Sequence, residues 1–287
     1  MSILITGSSS YIGKNLINFL EEKNVNYVGV DLTKPYTKRC IKLNILNPQF
    51  EKKVKKKITS IIHLAAISSN HLSYKKPKLA YEVNILGSMN LIKFAEKKDI
   101  KKFIFASSEW VYGTFKKNEV KSVKSKIDIE KLESIYAKTK AMVEKILLES
   151  NLNYSILRFG IIYGNKKSNF SAVETLIEQV KKKKIISVFS KKTSRGFIHI
   201  DDIIRAIILS NNIKKNKIFD IQGPKLVSLE MIIKLTSKLL GKKIKINEKD
   251  KNNCSIRNIN SKKSQKILRF KPRVTIDEGV RKILKIK

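Results

Sequence analysis

Tyr136 and Lys140, within Tyr136-Ala-Lys-Thr-Lys140, place a phenol and an ammonium four positions apart. The apolar residues that follow (Ala141, Val143, Ile146 and Leu147) recur at helical spacing, so the stretch predicts a helix start. Residues four apart on a helix share a face, which lets both groups point into one site. A free tyrosine titrates near pH ~10, so one that acts as a base at neutral pH must be stabilised as phenolate. A neighbouring ammonium does this, and an oxidised nicotinamide adds a second positive charge. Lowering the pKa by about three units corresponds to roughly 4 kcal/mol of differential stabilisation. The pair therefore suggests proton transfer coupled to redox chemistry. Taken alone, a Tyr and a Lys at this spacing are more often a solvated surface pair, so the rest of the chain decides.

Ile3-Leu4-Ile5 reads as a short apolar strand, followed by Thr6-Gly7-Ser8-Ser9-Ser10-Tyr11-Ile12-Gly13 and a helical pattern through Leu16, Ile17 and Leu20. A strand, a Gly-rich turn and a helix in that order form a phosphate cradle. Backbone N–H groups and the positive helix N-terminus face the anion, and small residues allow close approach. A second apolar stretch, residues 26–30, ends in Asp31. A carboxylate at that strand end accepts hydrogen bonds from the adenosine ribose hydroxyls and repels a 2′-phosphate, favouring NAD over NADP.

This order of features resembles the extended short-chain dehydrogenases/reductases, in the group of NAD-dependent sugar epimerases and dehydratases, over nearly the whole chain. The family's opening pattern, Thr-Gly-x-x-Gly-x-x-Gly, is met at Thr6, Gly7 and Gly13. Ser10 stands at the middle glycine, where its Cβ is expected to crowd the pyrophosphate and shift or weaken cofactor binding. His63-Leu-Ala-Ala66 is similar to the segment that lines the dinucleotide, and Asn84-Ile-Leu-Gly87 to the start of a helix portion beside it. Phe105-Ala-Ser-Ser-Glu-Trp-Val-Tyr-Gly113 resembles the strand end that carries the third catalytic side chain, which falls on Ser108. The resemblance implies a catalytic set of Ser108, Tyr136 and Lys140. It implies NAD held by Gly7, Ser9, Ser10, Tyr11, Ile12 and Gly13 in the turn, and by Asp31, Asn44 and Ile45 beyond it. Leu64, Ala65, Ala66, Asn84 and Ser107 complete that set, with Tyr136 and Lys140 also reaching the cofactor. His63 follows two isoleucines and reads as a satisfied strand-end histidine without a chemical role.

At 287 residues the chain is long enough for one large α/β core and a smaller lobe. Strands alternating with helical patterns predict a Rossmann-type doubly wound parallel sheet. Residues 1–162 with 196–223 are expected to form the NAD-binding domain, and 163–195 with 224–287 a smaller C-terminal substrate lobe. Cys40 and Cys254 suggest no disulfide framework, and His63, His71 and His199 show no metal-ligand spacing with them. There is no Gly-x-Ser-x-Gly elbow to support a serine hydrolase. A core strand at the N-terminus, with no signal peptide ahead of it and no long apolar run, leads us to expect a cytoplasmic protein.

The charge is anomalous: 61 basic against 24 acidic residues give +37, with 53 lysines and only 8 arginines. Such charge attracts polyanions, but it is spread along the chain without interleaved aromatics, so nucleic acid is not the expected partner. Where lysine is the default cation, arginine marks places that need a planar, bidentate guanidinium. Arg195 precedes Gly196-Phe-Ile-His-Ile-Asp-Asp202, similar to the family segment Arg-Asp-Phe-Ile-His-Val-Asp-Asp, and Arg257 opens a stretch running to Pro272 that matches the C-terminal pattern. The resemblance implies that both contact the diphosphate of a nucleotide-linked sugar, with Ser108 and Glu109 touching the sugar. Ile161 stands where relatives place a phosphate-binding asparagine, which leaves a smaller or differently phosphorylated sugar open. The expected reaction is epimerisation through a transient keto sugar. Dehydratases of the family carry an Asp-Glu pair where this chain has Glu109-Trp110, and Trp110 is expected to line an apolar wall. The alternatives are a sugar reductase or dehydrogenase, a dehydratase, and a non-catalytic dinucleotide- or RNA-binding protein on the same fold. A homodimer is expected by resemblance, through the helices near 78–97 and 134–150.

Overall fold

The computed structural model describes residues 2–286. Short apolar runs without polar alternation belong to strands covered on both faces. They form β1 (Ser2–Thr6), β2 (Tyr27–Asp31), β3 (Cys40–Lys42), β4 (Ile58–His63), β5 (Lys102–Ser108), β6 (Tyr154–Phe159) and β7 (Lys217–Ile221). Every residue of β1, β5 and β6 is buried. The strands lie in one parallel sheet in the order β7-β6-β5-β4-β1-β2-β3. β1 pairs in register with β2 on one side (Leu4 opposite Val28) and with β4 on the other (Leu4 opposite Ile61). The order therefore reverses at β1, and the crevice at the C-terminal ends of the strands beside it is where doubly wound sheets bind ligands.

Three helices matter to that crevice: α1 (Tyr11–Glu22), α2 (Gly87–Lys97) and α3 (Ile135–Leu148). α1 buries Leu16, Ile17 and Leu20 on one stripe. α3 is capped by Ser134, whose hydroxyl accepts from the Ala137 N–H, and its buried face holds Lys140 and Glu144 among apolar residues. Charged groups enter a core only when paired, so this face is built for more than packing. Leu4, Val30, Phe103 and Ile156, alternate residues on one face of the sheet, join Leu91 of α2 and Val143 of α3 in one continuous hydrophobic core. A π-turn, Glu82–Leu86, leads into α2.

The chain divides into two compact units: Met1–Gly113 with Ser125–Arg158 and Ile204–Phe219, and Thr114–Lys124 with Phe159–Ile203 and Asp220–Lys287. The second unit has its own core of Tyr163, Val173, Ile177, Phe197, Ile232 and Val280, among others. Its strands are short pairs: Ile162–Tyr163 with Ile198–His199, Ile185–Val188 with Lys245–Glu248, and Val120–Lys121 with Asn258–Ile259 are parallel, and Ser194–Arg195 with Val227–Ser228 is antiparallel. Its loops are fixed by carboxylates on backbone donors. Asp202 accepts from the N–H groups of Arg273 and Val274, and capping boxes start the helices Ala172–Lys182 and Ile276–Leu284. No described helix is long and apolar enough to cross a membrane.

His63, at the end of β4, bridges the layers. Its Nδ1 lies 2.7 Å from the Thr6 hydroxyl on β1, and its Nε2 lies 2.8 Å from the Ser88 hydroxyl on α2. Burial, assisted by the nearby Lys140 charge, pulls its pKa down to about 3. The unfolded imidazole takes a proton below pH ~6.5 while the folded one refuses it, so this contribution is intact at neutrality and is lost as pH falls towards 3. Wild type should be the more stable protein at pH 7, and its advantage over His63→Gln should shrink by about 1 kcal/mol per pH unit between pH 6 and 4. Urea melts across that range check this, and a constant gap contradicts it.

Candidate active site

The turn after β1 is shaped by what cannot fit. Gly7 has φ +72°, and a Cβ there would stand 2.8 Å from the Ala65 backbone nitrogen, so only glycine brings the turn against the loop after β4. A Cβ on Gly13 would meet the Gly7 carbonyl oxygen at 2.3 Å. That loop is held to β1 by two bonds, from Leu64 N–H to the Thr6 carbonyl and from Ala65 N–H to the Thr6 hydroxyl, and continues into Ala66. Ser10 is the N-cap of α1, in extended conformation, and its hydroxyl accepts the Gly13 N–H at 3.1 Å. The serine thus has a local task beside any crowding: it occupies one of the helix-end donors that would otherwise face an anion. Tyr11 and Ile12 begin α1 directly behind it.

Asp31 closes β2 with its carboxylate already organised, accepting from the Ser9 N–H at 2.9 Å and from the Thr33 N–H and hydroxyl at 3.0 Å. The Asn44 side chain accepts from the Leu46 N–H, and buried Ile45 fills the space beside Gly87, where a Cβ would meet it at 2.5 Å. Asn84, in the π-turn, spends its amide on protein groups. It accepts from the Ile67 N–H and donates to the Ile67 carbonyl and the Thr139 hydroxyl, tying the loop after β4 to α3.

Ser108, Tyr136 and Lys140 come together at the end of β5 and the first turns of α3. Ser108 caps the turn Glu109–Tyr112 by accepting from the Trp110 N–H, and its side chain lies near enough to the Tyr136 phenol to favour the phenolate. Lys140 Nζ donates to the Ala106 carbonyl at 2.7 Å and lies 4.6 Å from the Phe105 ring centroid and 5.8 Å from that of Tyr136. Tyr136 keeps part of its surface exposed, yet the protein packed around it pushes the phenol up to about 12, against a smaller downward pull from Ser108. Burial brings Lys140 down to about 7, opposed by the Glu144 carboxylate. The depressed phenol pKa expected from the sequence is therefore not supplied by the protein's own groups. Desolvation penalises both charged forms, and it outweighs the opposing pull of Ser108 at Tyr136 and of Glu144 at Lys140. Glu109 is fully buried. Trp110 packs against an apolar cluster of Val111, Leu132, Ala137 and Ala141.

Beneath these groups lies a charge pair that sequence reasoning missed. Glu144, one turn beyond Lys140, accepts from Arg158 Nε at 3.1 Å and Nη2 at 2.6 Å, and both side chains are almost wholly buried. Arg158 Nη1 donates to the Tyr112 hydroxyl at 2.9 Å, and the Ser107 hydroxyl donates to Glu144. Burial alone would weaken the hold of Arg158 on its proton, but the Glu144 carboxylate lifts its pKa above the ordinary value. The available signal was a lone arginine inside the apolar strand Tyr154–Phe159.

In the second unit, Arg195 and Arg257 are neighbours despite their distance in sequence. Ser194 N–H donates to the Ser255 carbonyl and Arg257 N–H to the Ser194 carbonyl. Arg195 Nη1 and Nη2 reach the Ser255 carbonyl and hydroxyl. The buried Arg257 guanidinium lies 4.6 Å from the Phe115 ring centroid, which Lys121 also approaches at 4.8 Å. Among the described residues no cluster of His, Cys, Asp or Glu could hold a metal ion.

The profile of the NAD dependent epimerase/dehydratase family matches residues 3–221, from the first strand to the last strand of the sheet. The chain belongs to this family. Among members, a UDP-glucuronate 4-epimerase of Thermodesulfobacterium geofontis is 26% identical, over 97% of this chain and 94% of its own length. A putative UDP-glucose 4-epimerase of Methanocaldococcus jannaschii is 25% identical over 98% and 97%. Among solved structures, a UDP-glucuronic acid 4-epimerase of Bacillus cereus, in complex with UDP-glucuronic acid and NAD, superposes with a TM-score of 0.86 at 25% identity, each chain 99% covered. The UDP-glucose 4-epimerase of Thermotoga maritima shares the fold, with a TM-score of 0.87 at 23% identity over 99% and 98%. The family's NAD suits the residues found here: a glycine turn with no room for side chains, a helix N-terminus, and a pre-oriented carboxylate at the end of β2.

Two outcomes are expected. Ser10→Gly should tighten NAD binding about two- to tenfold, the worth of one recovered hydrogen bond. It should cost only a few tenths of a kcal/mol in stability, as glycine is a tolerated N-cap; calorimetric titration with NAD and thermal melts check both. Lys140→Met should be the more stable protein near pH 7. In wild type the unfolded ammonium holds its proton up to about pH 10.4 while the folded one loses it near 7, so wild type gains stability as pH rises between those values. Denaturant midpoints at pH 7, 8 and 9 should converge, whereas parallel curves would mean that Lys140 is not desolvated.

Proposed function

We propose that this chain is an NAD-dependent epimerase that inverts C4 of a uridine-diphosphate-linked sugar. The observation that carries the reading is the convergence of Ser108, at the C-terminal end of β5, with Tyr136 and Lys140 one helical turn apart on α3, Lys140 being held to the Ala106 carbonyl of β5. The relatives compared over nearly their whole length are named as UDP-sugar 4-epimerases, one of them putative, which supports this substrate class and position.

The Tyr136 phenol exchanges a proton with the sugar hydroxyl, and Ser108, beside it, holds that hydroxyl and relays the proton. NAD supplies a reversible hydride acceptor, which makes a transient keto sugar accessible. Lys140, held by the Ala106 carbonyl, orients the nicotinamide ribose and contributes positive charge next to the phenol. Gly7, Ser9, Ser10, Gly13 and Asp31 bind the dinucleotide, and Arg195 with Arg257 receive the diphosphate of the substrate. The apolar setting of Trp110, where a dehydratase needs a second acid, favours epimerisation over water loss. Exposed Leu86 and Leu148, with partly exposed Met89, Met142 and Ile146 on α2 and α3, support a homodimer through these helices, and we place the protein in the cytoplasm.

The test is to incubate the protein with UDP-glucose, UDP-N-acetylglucosamine or UDP-glucuronate and follow the anomeric proton signals by NMR. Conversion of one of them to its C4 epimer without net NADH, reduced at least 10³-fold in Tyr136→Phe, is the expected result. Accumulating NADH would instead indicate a dehydrogenase, and a product lighter by one water a dehydratase. Lack of turnover together with salt-sensitive RNA binding would indicate the non-catalytic alternative.

A further inference from the structure

Gln222 is the residue directly after β7, and Gly160 the residue directly after β6, its neighbour in the sheet. Both stand at C-terminal strand ends, the side of a doubly wound sheet on which ligands bind. Gln222 is 4% exposed, and neither its Oε1 nor its Nε2 has a hydrogen-bond partner among the described residues. Leaving both ends of a buried amide unpaired costs roughly 1–3 kcal/mol for each group, so a stably placed glutamine in this state calls for an explanation. Exchanging the two amide atoms changes nothing, because both lack partners.

The surroundings make room for this one side chain. A Cβ on Gly196 would stand 2.5 Å from Gln222 Oε1, and one on Gly160 would stand 2.6 Å from it. The backbone closes the rest of the space: Gly160 N–H donates to the Ile221 carbonyl, Gly223 N–H donates to the Gly196 carbonyl, and a Cβ on Gly223 would lie 1.9 Å from the Phe197 carbonyl oxygen. Next to Gly160, Ile161 offers no side-chain donor or acceptor. The carboxamide is therefore the polar side chain these strand ends offer, held by two glycines that give up their own side chains to it.

We infer that Gln222 is a specificity-determining residue whose carboxamide hydrogen-bonds the hydroxyl groups of a neutral sugar. The inference rests on the proposed sugar-nucleotide activity and narrows its substrate class. A carboxamide offers two donor hydrogens and a two-lone-pair acceptor, and a pair of hydroxyls that includes the one at C6, which both donate and accept, satisfies both ends. The carboxylate that a uronic acid carries at C6 only accepts, and would leave Oε1 buried and facing negative charge. The structure thus favours a UDP-hexose over a UDP-uronic acid.

The experiment compares purified full-length wild type with Gln222→Leu, and with Gln222→Met as a second variant of similar volume. Both remove the orphan polar atoms, so the melting temperature should hold or rise. The expected result is a fall of at least tenfold in kcat/KM for UDP-glucose, with UDP-glucuronate changed less than twofold. Gly196→Ala should share the UDP-glucose defect, and adding Gln222→Ala to it should restore the melting temperature, since the three atoms nearest to its Cβ all belong to Gln222. Two outcomes overturn the inference: UDP-glucose turnover within twofold of wild type in both variants, as for an amide that water satisfies, or equal losses for both sugars, as for a contact to the nucleotide. If wild type turns over no sugar, the epimerase reading fails by itself, and the thermal shift with UDP-glucose decides. A shift in wild type that is absent from Gln222→Leu supports the inference, whereas equal shifts or none in wild type refute it.

Discussion

Glu144 and Arg158 form a double-contact ion pair with almost no solvent exposure. Removing one member of such a pair strands the other and costs about 3–5 kcal/mol, a large share of a domain's net stability. Its value here is positional. The carboxylate belongs to α3, the guanidinium to β6, the Ser107 hydroxyl to the end of β5, and the Tyr112 phenol to the turn beyond it. Two of these elements, β5 and α3, carry Ser108, Tyr136 and Lys140. Tyr136, Lys140 and Glu144 lie at four-residue steps on one helix face, so the pair sets the rotation of α3 about its axis as well as its distance from the sheet.

The same burial sets the electrostatics. His63, Tyr136 and Lys140 all shift towards their neutral forms, each chiefly by desolvation, around one end of the sheet. Glu144 opposes the shift at Lys140 and so keeps an ammonium near the phenol that neutral packing would have discharged. A site of this kind stores its reactivity as unfavourable solvation, and a charge brought close to it has more effect than it would in water.

The fold and the dinucleotide end were legible because they rest on local rules. A glycine forced to positive φ, a helix cap and a carboxylate at a strand end each leave a mark within a few residues, as at Gly7, Ser10 and Asp31. Tyr136 and Lys140 were legible through helical spacing, but their titration was not, because solvent access depends on elements distant in sequence such as Phe105 and Ala106. Glu144 and Arg158 looked like two more charges in a charged chain until the sheet brought them together. The second unit was the least readable: its paired strands are two to four residues long, too short for a period of two to register. Gln222 is the extreme case, since its setting is defined by side chains that Gly160 and Gly196 do not have.

The π-turn Glu82–Leu86 inserts one residue into an otherwise regular helical stretch and so shifts the phase of everything after it by about 100°. That offset lets Asn84, within the turn, clamp the loop after β4 while Ser88, behind it, meets His63. Losing one residue from this segment would produce a more regular helix and turn one of those two contacts away from the sheet. In this part of the molecule, chain length rather than side-chain chemistry is the information that evolution must keep.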